Sequence, residues 1–84
     1  MHLKFFTSSA CGPCAMMKKS LEDNPPSVPV EYIDVGEQPV VANAHRISTV
    51  PTIELYDSND ELLRRNEGSM TPAKLHSMIK EFSG

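Results

Sequence analysis

The sequence predicts an α/β domain, a four-stranded mixed sheet with helices on both faces and elements in the order βαβαββα. Three observations predict it. Short β-favouring segments alternate with helix-periodic ones through the first half of the chain. Two strand-like segments then flank a dense turn cluster, and an amphipathic helix follows them. A β-α-β start requires a right-handed crossover into a parallel pair, whereas the hairpin adds antiparallel strands, so the sheet is mixed.

His2 to Thr7 is rich in β-favouring residues and runs into Ser8-Ser9, which marks a buried strand followed by a loop. From Gly12 the pattern changes: Cys14, Met17 and Leu21 recur at spacings of three and four, as one face of a helix requires. Asp23-Asn24-Pro25-Pro26 ends that helix, because prolines remove donors and bias the preceding residue away from the α region. Val28 to Val35 alternates as a second strand and Gly36-Glu37-Gln38-Pro39 turns the chain. Val40, Val41 and Ala44, with Ile47 following, predict a short helix that His45 and Arg46 end. Thr52 to Tyr56 is a third strand, and Leu62 to Glu67 pairs back on it across Asp57-Ser58-Asn59-Asp60. Gly68 breaks the pattern, and Thr71-Pro72 supplies an N-cap with proline at the first helical position. Leu75, Met78, Ile79 and Phe82 then form one apolar helix face.

The 84 residues make a single domain, 1–84, with a modest core, a size at which disulfides or a metal often reinforce the fold. Only two cysteines are present, two residues apart, and a bridge between them cannot staple distant parts of the chain. The pair is better explained as chemistry than as reinforcement. A formal charge of −3, with no basic footprint beyond Lys18-Lys19 and Arg64-Arg65, argues against nucleic acid as a partner. No apolar run approaches the ~20 residues of a membrane span. The first six residues carry no signal-peptide apolar region, so a reducing, cytoplasmic setting and a mostly reduced dithiol are expected. The methionines Met16, Met17 and Met70 either fill core gaps or soften the docking surface, and core filling is the favoured reading.

Ser8-Ser9-Ala10-Cys11-Gly12-Pro13-Cys14 joins the first strand to the first helix. Unpaired backbone N–H groups and the positive end of the helix dipole favour a thiolate there, lowering the thiol from its free pKa of about 8.5. Cys11, at the exposed tip, is the expected nucleophile. Cys14, one turn on and sharing a face with Met17 and Leu21, is the expected buried resolving thiol. Gly12 admits a substrate backbone, and Pro13 stiffens the turn between the two sulfurs. A zinc site would need two further ligands, and His2, His45 and His76 lie at no usual ligand spacing, so no metal is expected. Thr49-Val50-Pro51-Thr52 is the second signal. A cis Val50–Pro51 bond before the third strand turns the Val50 backbone outward to pair with an extended segment beside Cys11.

Cys11-Gly12-Pro13-Cys14, the Val50-Pro51-Thr52 loop and the closing Gly68 plus helix together resemble the thioredoxin family. The resemblance spans nearly the whole chain and implies a minimal thioredoxin fold without the extra N-terminal strand and helix of longer members. It also implies the Cys11 and Cys14 roles, cis-Pro51, and a docking surface from Ala10, Gly12, Thr49, Val50 and Gly68. Three positions depart from the family's pattern. Ala10 stands where a tryptophan is usual, Phe5 where a buried aspartate lies beneath the cysteines, and Val30 near the place of its lysine partner.

Chain length and Thr49-Val50-Pro51 are also similar to glutaredoxins. Those proteins, however, carry proline then an aromatic between the cysteines, and a Gly-Gly-acid stretch for glutathione. Glu67-Gly68-Ser69-Met70-Thr71 has one glycine and no following acid, so glutathione's charged ends would be poorly paired. The resulting expectation is a monomeric protein dithiol–disulfide oxidoreductase that reduces target-protein disulfides and is recycled by thioredoxin reductase. Ribonucleotide reductase is a target by family analogy alone. No nucleotide-binding glycine fingerprint is present and no cofactor is expected. The alternatives are a glutathione-dependent glutaredoxin, or a binding subunit of the same fold whose cysteines are not essential.

Overall fold

The computed structural model describes residues 1–83. Strands β1 (His2–Thr7), β2 (Val30–Asp34), β3 (Thr52–Tyr56) and β4 (Leu62–Glu67) alternate with helices α1 (Gly12–Asp23), α2 (Pro39–Ala44) and α3 (Pro72–Ser83) in the expected order. The sheet runs β2-β1-β3-β4. β1 pairs parallel with β2 and antiparallel with β3, and β3 pairs antiparallel with β4.

Register divides the side chains between the two faces. Leu3 aligns with Val30 and Leu55, and Phe5 with Tyr32 and Ile53. That face meets α1 and α3: Leu3, Phe5, Ile53 and Leu55 pack with Met17, Leu21, Leu75, Met78 and Ile79 in one buried cluster. Burying each large side chain contributes roughly 1.5–3 kcal/mol, so this cluster is the main source of stability. The opposite face carries Lys4, Phe6, Ile33, Glu54 and Arg65 and is reached by the end of α2, where the His45 ring sits 5.2 Å from that of Phe6. β1 is central and covered on both sides, which is why adjacent Phe5 and Phe6 are both fully buried.

Three sequence expectations shift. β2 begins at Val30, not Val28, because Pro29 has no N–H for the ladder; its carbonyl instead accepts from Leu3 N–H at 2.9 Å. The strand ends at Asp34, whose carboxylate accepts from the N–H groups of Gly36 and Glu37 at 2.8 and 3.1 Å and so turns the chain. In α2 the buried residue is Ala42, while Val40 is 79% exposed. Of the three methionines read as core, Met17 is buried and Met70 packs against the cluster, whereas Met16 is 74% exposed.

Candidate active site

The β1–α1 junction is built by capping. Cys11 is the N-cap of α1, with extended backbone, and its Sγ accepts from the Cys14 N–H at 3.1 Å. Pro13, in the first turn, has no N–H and removes one donor that would otherwise go unpaired there. The first turn carries no acidic side chain, so no carboxylate of the helix itself competes for its positive end. Cys11 and Cys14 are joined as a disulfide with Cα atoms 5.2 Å apart. Cys14 is fully buried on the face it shares with Met17 and Leu21, and Cys11 is only half-buried.

The second half of the site comes from the β3 side. Val50–Pro51 is a cis peptide, as expected. The Val50 carbonyl oxygen lies 3.9 Å from Cys11 Sγ, and the Thr52 hydroxyl donates to the Thr49 carbonyl at 2.7 Å. Gly68 N–H donates to the Pro51 carbonyl at 2.8 Å, which brings the β4–α3 loop into the same strip. Gly68 has φ +96°, and a Cβ there would meet no atom within 4 Å. Backbone conformation, not space, therefore calls for glycine at this position. Ala10 is exposed beside Cys11, its N–H 3.4 Å from the Ser8 hydroxyl, and Gly12 is open to solvent. Ala10, Cys11, Gly12, Thr49, Val50, Pro51 and Gly68 thus form one end of the sheet.

Beside Pro13, between α1 and the β4–α3 loop, a groove of about 310 Å³ is lined by Met16, Met17, Met70 and Pro72. Exposed Met16 belongs to this groove. Phe5 and Val30, read as replacing a buried acid–lysine pair, are both apolar here: Phe5 is fully buried with its ring 5.3 Å from Tyr32, and Val30 packs against the core. No group of three His, Cys, Asp or Glu side chains that could hold a metal ion occurs among the described residues. No helix among them is long and apolar enough to cross a membrane.

Sequence reasoning missed a polar cluster behind the sheet. Glu54 is 2% exposed, yet its Oε1 accepts from the Tyr56 hydroxyl at 2.5 Å and lies 2.9 Å from His45 Nδ1. Arg65 Nε lies 3.8 Å from its other oxygen. Burial pushes the Tyr56 hydroxyl well above its ordinary range, with further help from the hydrogen bond to Glu54 and from its charge. The signal available in the sequence was a glutamate flanked by apolar residues in Thr52-Ile53-Glu54-Leu55-Tyr56, opposite an arginine on the paired strand.

Comparison with known proteins agrees with this geometry. The thioredoxin family profile matches residues 1–81. A thioredoxin-like protein of Synechocystis sp. is 29% identical over 83 residues, covering 94% of this chain and 75% of that protein. A second from the same organism is 30% identical over 81 residues, covering 92% and 76%. Among solved structures, a mutant thioredoxin from Halobacterium salinarum superposes with a TM-score of 0.88 at 27% identity, covering 99% of this chain and 74% of that one. Oxidised mitochondrial thioredoxin 3 from Saccharomyces cerevisiae gives 0.77 at 28% identity, covering 95% and 76%. A family profile reaching into all seven elements, a matching fold and a redox-capable CxxC pair at a helix tip lead to one conclusion: the chain belongs to the thioredoxin family and is a thiol–disulfide oxidoreductase.

Proposed function

We propose that this protein reduces disulfides in target proteins, with Cys11 as nucleophile and Cys14 as resolving thiol. The observation that carries the reading is the difference between the sulfurs. Cys11 is half-exposed at the helix tip and receives the Cys14 N–H, while Cys14 is fully buried one turn on. In the dithiol form, the Cys11 thiolate attacks one sulfur of the target disulfide and the other leaves as a thiolate that takes up a proton. Cys14 then loses its proton and displaces the target from Cys11, giving the Cys11–Cys14 disulfide and a fully reduced target. Two electrons pass from protein to target. The docking strip of Ala10, Gly12, Thr49, Val50, Pro51 and Gly68 holds an extended segment of the target, Val50 through its backbone.

With no carboxylate at Phe5, the Cys14 proton leaves by water or a group of the target. The electrons are restored by thioredoxin reductase, in the cytoplasm, and the protein works as a monomer. Glutathione is disfavoured as the reductant because the Gly68-Ser69-Met70 stretch offers no acid for its amino end.

Two experiments test this. Reduction of a protein disulfide driven by NADPH and thioredoxin reductase is compared with reduction driven by glutathione and its reductase. Turnover is expected with the first, and efficient turnover with glutathione alone would overturn the choice. The Cys14→Ser variant is expected to trap target proteins on Cys11 as dithiothreitol-sensitive adducts. Trapping that required Cys14 instead would reverse the two roles. Retention of the biological function by a double Cys→Ser variant would favour the binding-subunit reading.

A further inference from the structure

Glu54 is a buried acid at the centre of β3, on the sheet face opposite the main core, and it is held by groups from β3, β4 and the end of α2. Tyr56 donates its hydroxyl hydrogen to Oε1, and His45 Nδ1 lies 2.9 Å from the same oxygen and 3.1 Å from the Tyr56 oxygen. His45 Nδ1 thus faces two acceptor oxygens and is placed to donate to them. Arg65 Nε faces Oε2 at 3.8 Å, and the Arg65 Nη2 donates to the carbonyl of Arg46 at 2.7 Å. A charge taken out of water is costly unless its partners hold it, so an arrangement of this kind calls for an explanation.

The residues held by Glu54 and by its ion-pair partner Arg65 are consecutive: His45, which meets Glu54, caps the end of α2, and Arg46, whose carbonyl accepts from Arg65, opens the segment that runs to Val50 and Pro51. Arg46 has φ 54°, a left-handed conformation that a non-glycine residue keeps where its surroundings fix it. The far end of the segment is fixed by Gly68 N–H on the Pro51 carbonyl and by the Thr52 hydroxyl on that of Thr49. Between these anchors lies Val50, 3.9 Å from Cys11 Sγ through its carbonyl oxygen.

We infer that Glu54, His45 and Arg65 are positioning residues for disulfide exchange, a clamp that holds segment 46–50 so that the Val50 backbone is presented beside Cys11. The inference rests on Val50 being a docking group for target proteins. None of the three is catalytic: the hydrogen-bond partners of Cys11 Sγ are the Val50 carbonyl and the Cys14 N–H, not these side chains. The clamp governs docking of an extended protein segment and leaves the reactivity of Cys11 itself unchanged.

The test compares pre-reduced wild type with His45→Ala, His45→Gln and Arg65→Ala. Single-turnover rates are measured against insulin, a protein disulfide, and against dithiobis(nitrobenzoate), a small disulfide that needs no backbone docking. His45→Ala is expected to lower the insulin rate about tenfold and leave the small-disulfide rate unchanged. His45→Gln, which keeps a donor for Glu54, should restore most of the insulin rate. Arg65→Ala carries the same expectation and serves if His45→Ala does not fold. Amide hydrogen exchange in both alanine variants should accelerate at residues 46–50 while β1 and β3 stay protected. Equal losses toward both disulfides, unchanged exchange at 46–50, or exchange rising throughout the sheet would overturn the clamp. If wild type itself fails to reduce insulin, the target-protein reading falls, and the exchange measurement alone decides the clamp.

Discussion

Phe5 and Glu54 exchange the expected places of apolar and acidic side chains. Phe5 stands at the position where the family's pattern has a buried acid, and the buried acid of this chain lies on the other face of the sheet. Tyr56 is the residue that most directly reports on that acid. Removing its hydroxyl leaves Glu54 Oε1 with one donor fewer in a site closed to water. Tyr56→Phe should therefore destabilise the protein by about 1–3 kcal/mol near neutral pH, read by urea unfolding. The same variant has a pH signature. Burial first, then Glu54, raises the Tyr56 hydroxyl above its ordinary value of 10.0 in the folded state. The unfolded chain thus loses that proton before the folded one does. Tyr56's contribution is fully present below pH 10 and is lost as pH rises through the folded value. Tyr32, raised by burial and by Glu22, titrates in both proteins, so the difference between them isolates Tyr56. Wild-type stability should fall more steeply above pH 10 than that of Tyr56→Phe. Parallel declines would show that the hydroxyl is not held as described.

At the scale of elements, legibility follows how local the determining physics is. The α3 start was readable because Thr71 and Pro72 act on their own turn: the Thr71 hydroxyl accepts from Lys74 N–H at 3.2 Å. Its buried face, Leu75, Met78 and Ile79, repeats over enough turns for the period to show. α2 has six residues, fewer than two turns, and so offers no period from which to choose Ala42 over Val40. Its termination was readable only as a position, at His45 and Arg46. The structure adds a mechanism: Arg46 N–H donates to the Asn43 carbonyl and Ile47 N–H to that of Ala42, a Schellman closure with Arg46 left-handed. Glycine occupies such a position without the Cβ penalty. Arg46→Gly should then stabilise the fold by about 1 kcal/mol, because the group used by Arg65 is the Arg46 carbonyl, which the substitution keeps. A higher urea midpoint with unchanged slope is the expected result. A lower midpoint would mean that the exposed Arg46 side chain makes a contribution larger than the backbone penalty.

At the scale of the whole molecule, the topology was legible because hydrophobic periods and turn residues act within single elements, and the crossover rule restricts how those elements join. The Cys11–Cys14 site and cis-Pro51 were legible for the same reason, each lying in one short loop. The Glu54 cluster was not, since His45, Glu54 and Arg65 meet only once β3 and β4 pair and α2 folds over them. One question concerns the molecule as a unit: whether the disulfide supports the fold or only performs chemistry. An exchange protein must stay folded in both redox states, and here the core cluster of α1, α3 and the sheet includes neither sulfur. The bridge spans a sequence separation of 3, so cross-linking removes little entropy from the unfolded chain, at most about 2 kcal/mol of stabilisation. Oxidised protein and protein reduced with dithiothreitol should accordingly unfold in urea with the same slope and a modest difference in midpoint. In thermal unfolding the reduced form should lie at most roughly 8–16 °C lower. Far-UV circular dichroism and amide protection of Leu3, Phe5, Ile53 and Leu55 should match in the two states. Loss of that protection on reduction would make the pair a structural staple, and reversible exchange through it would then require the protein to unfold in every cycle.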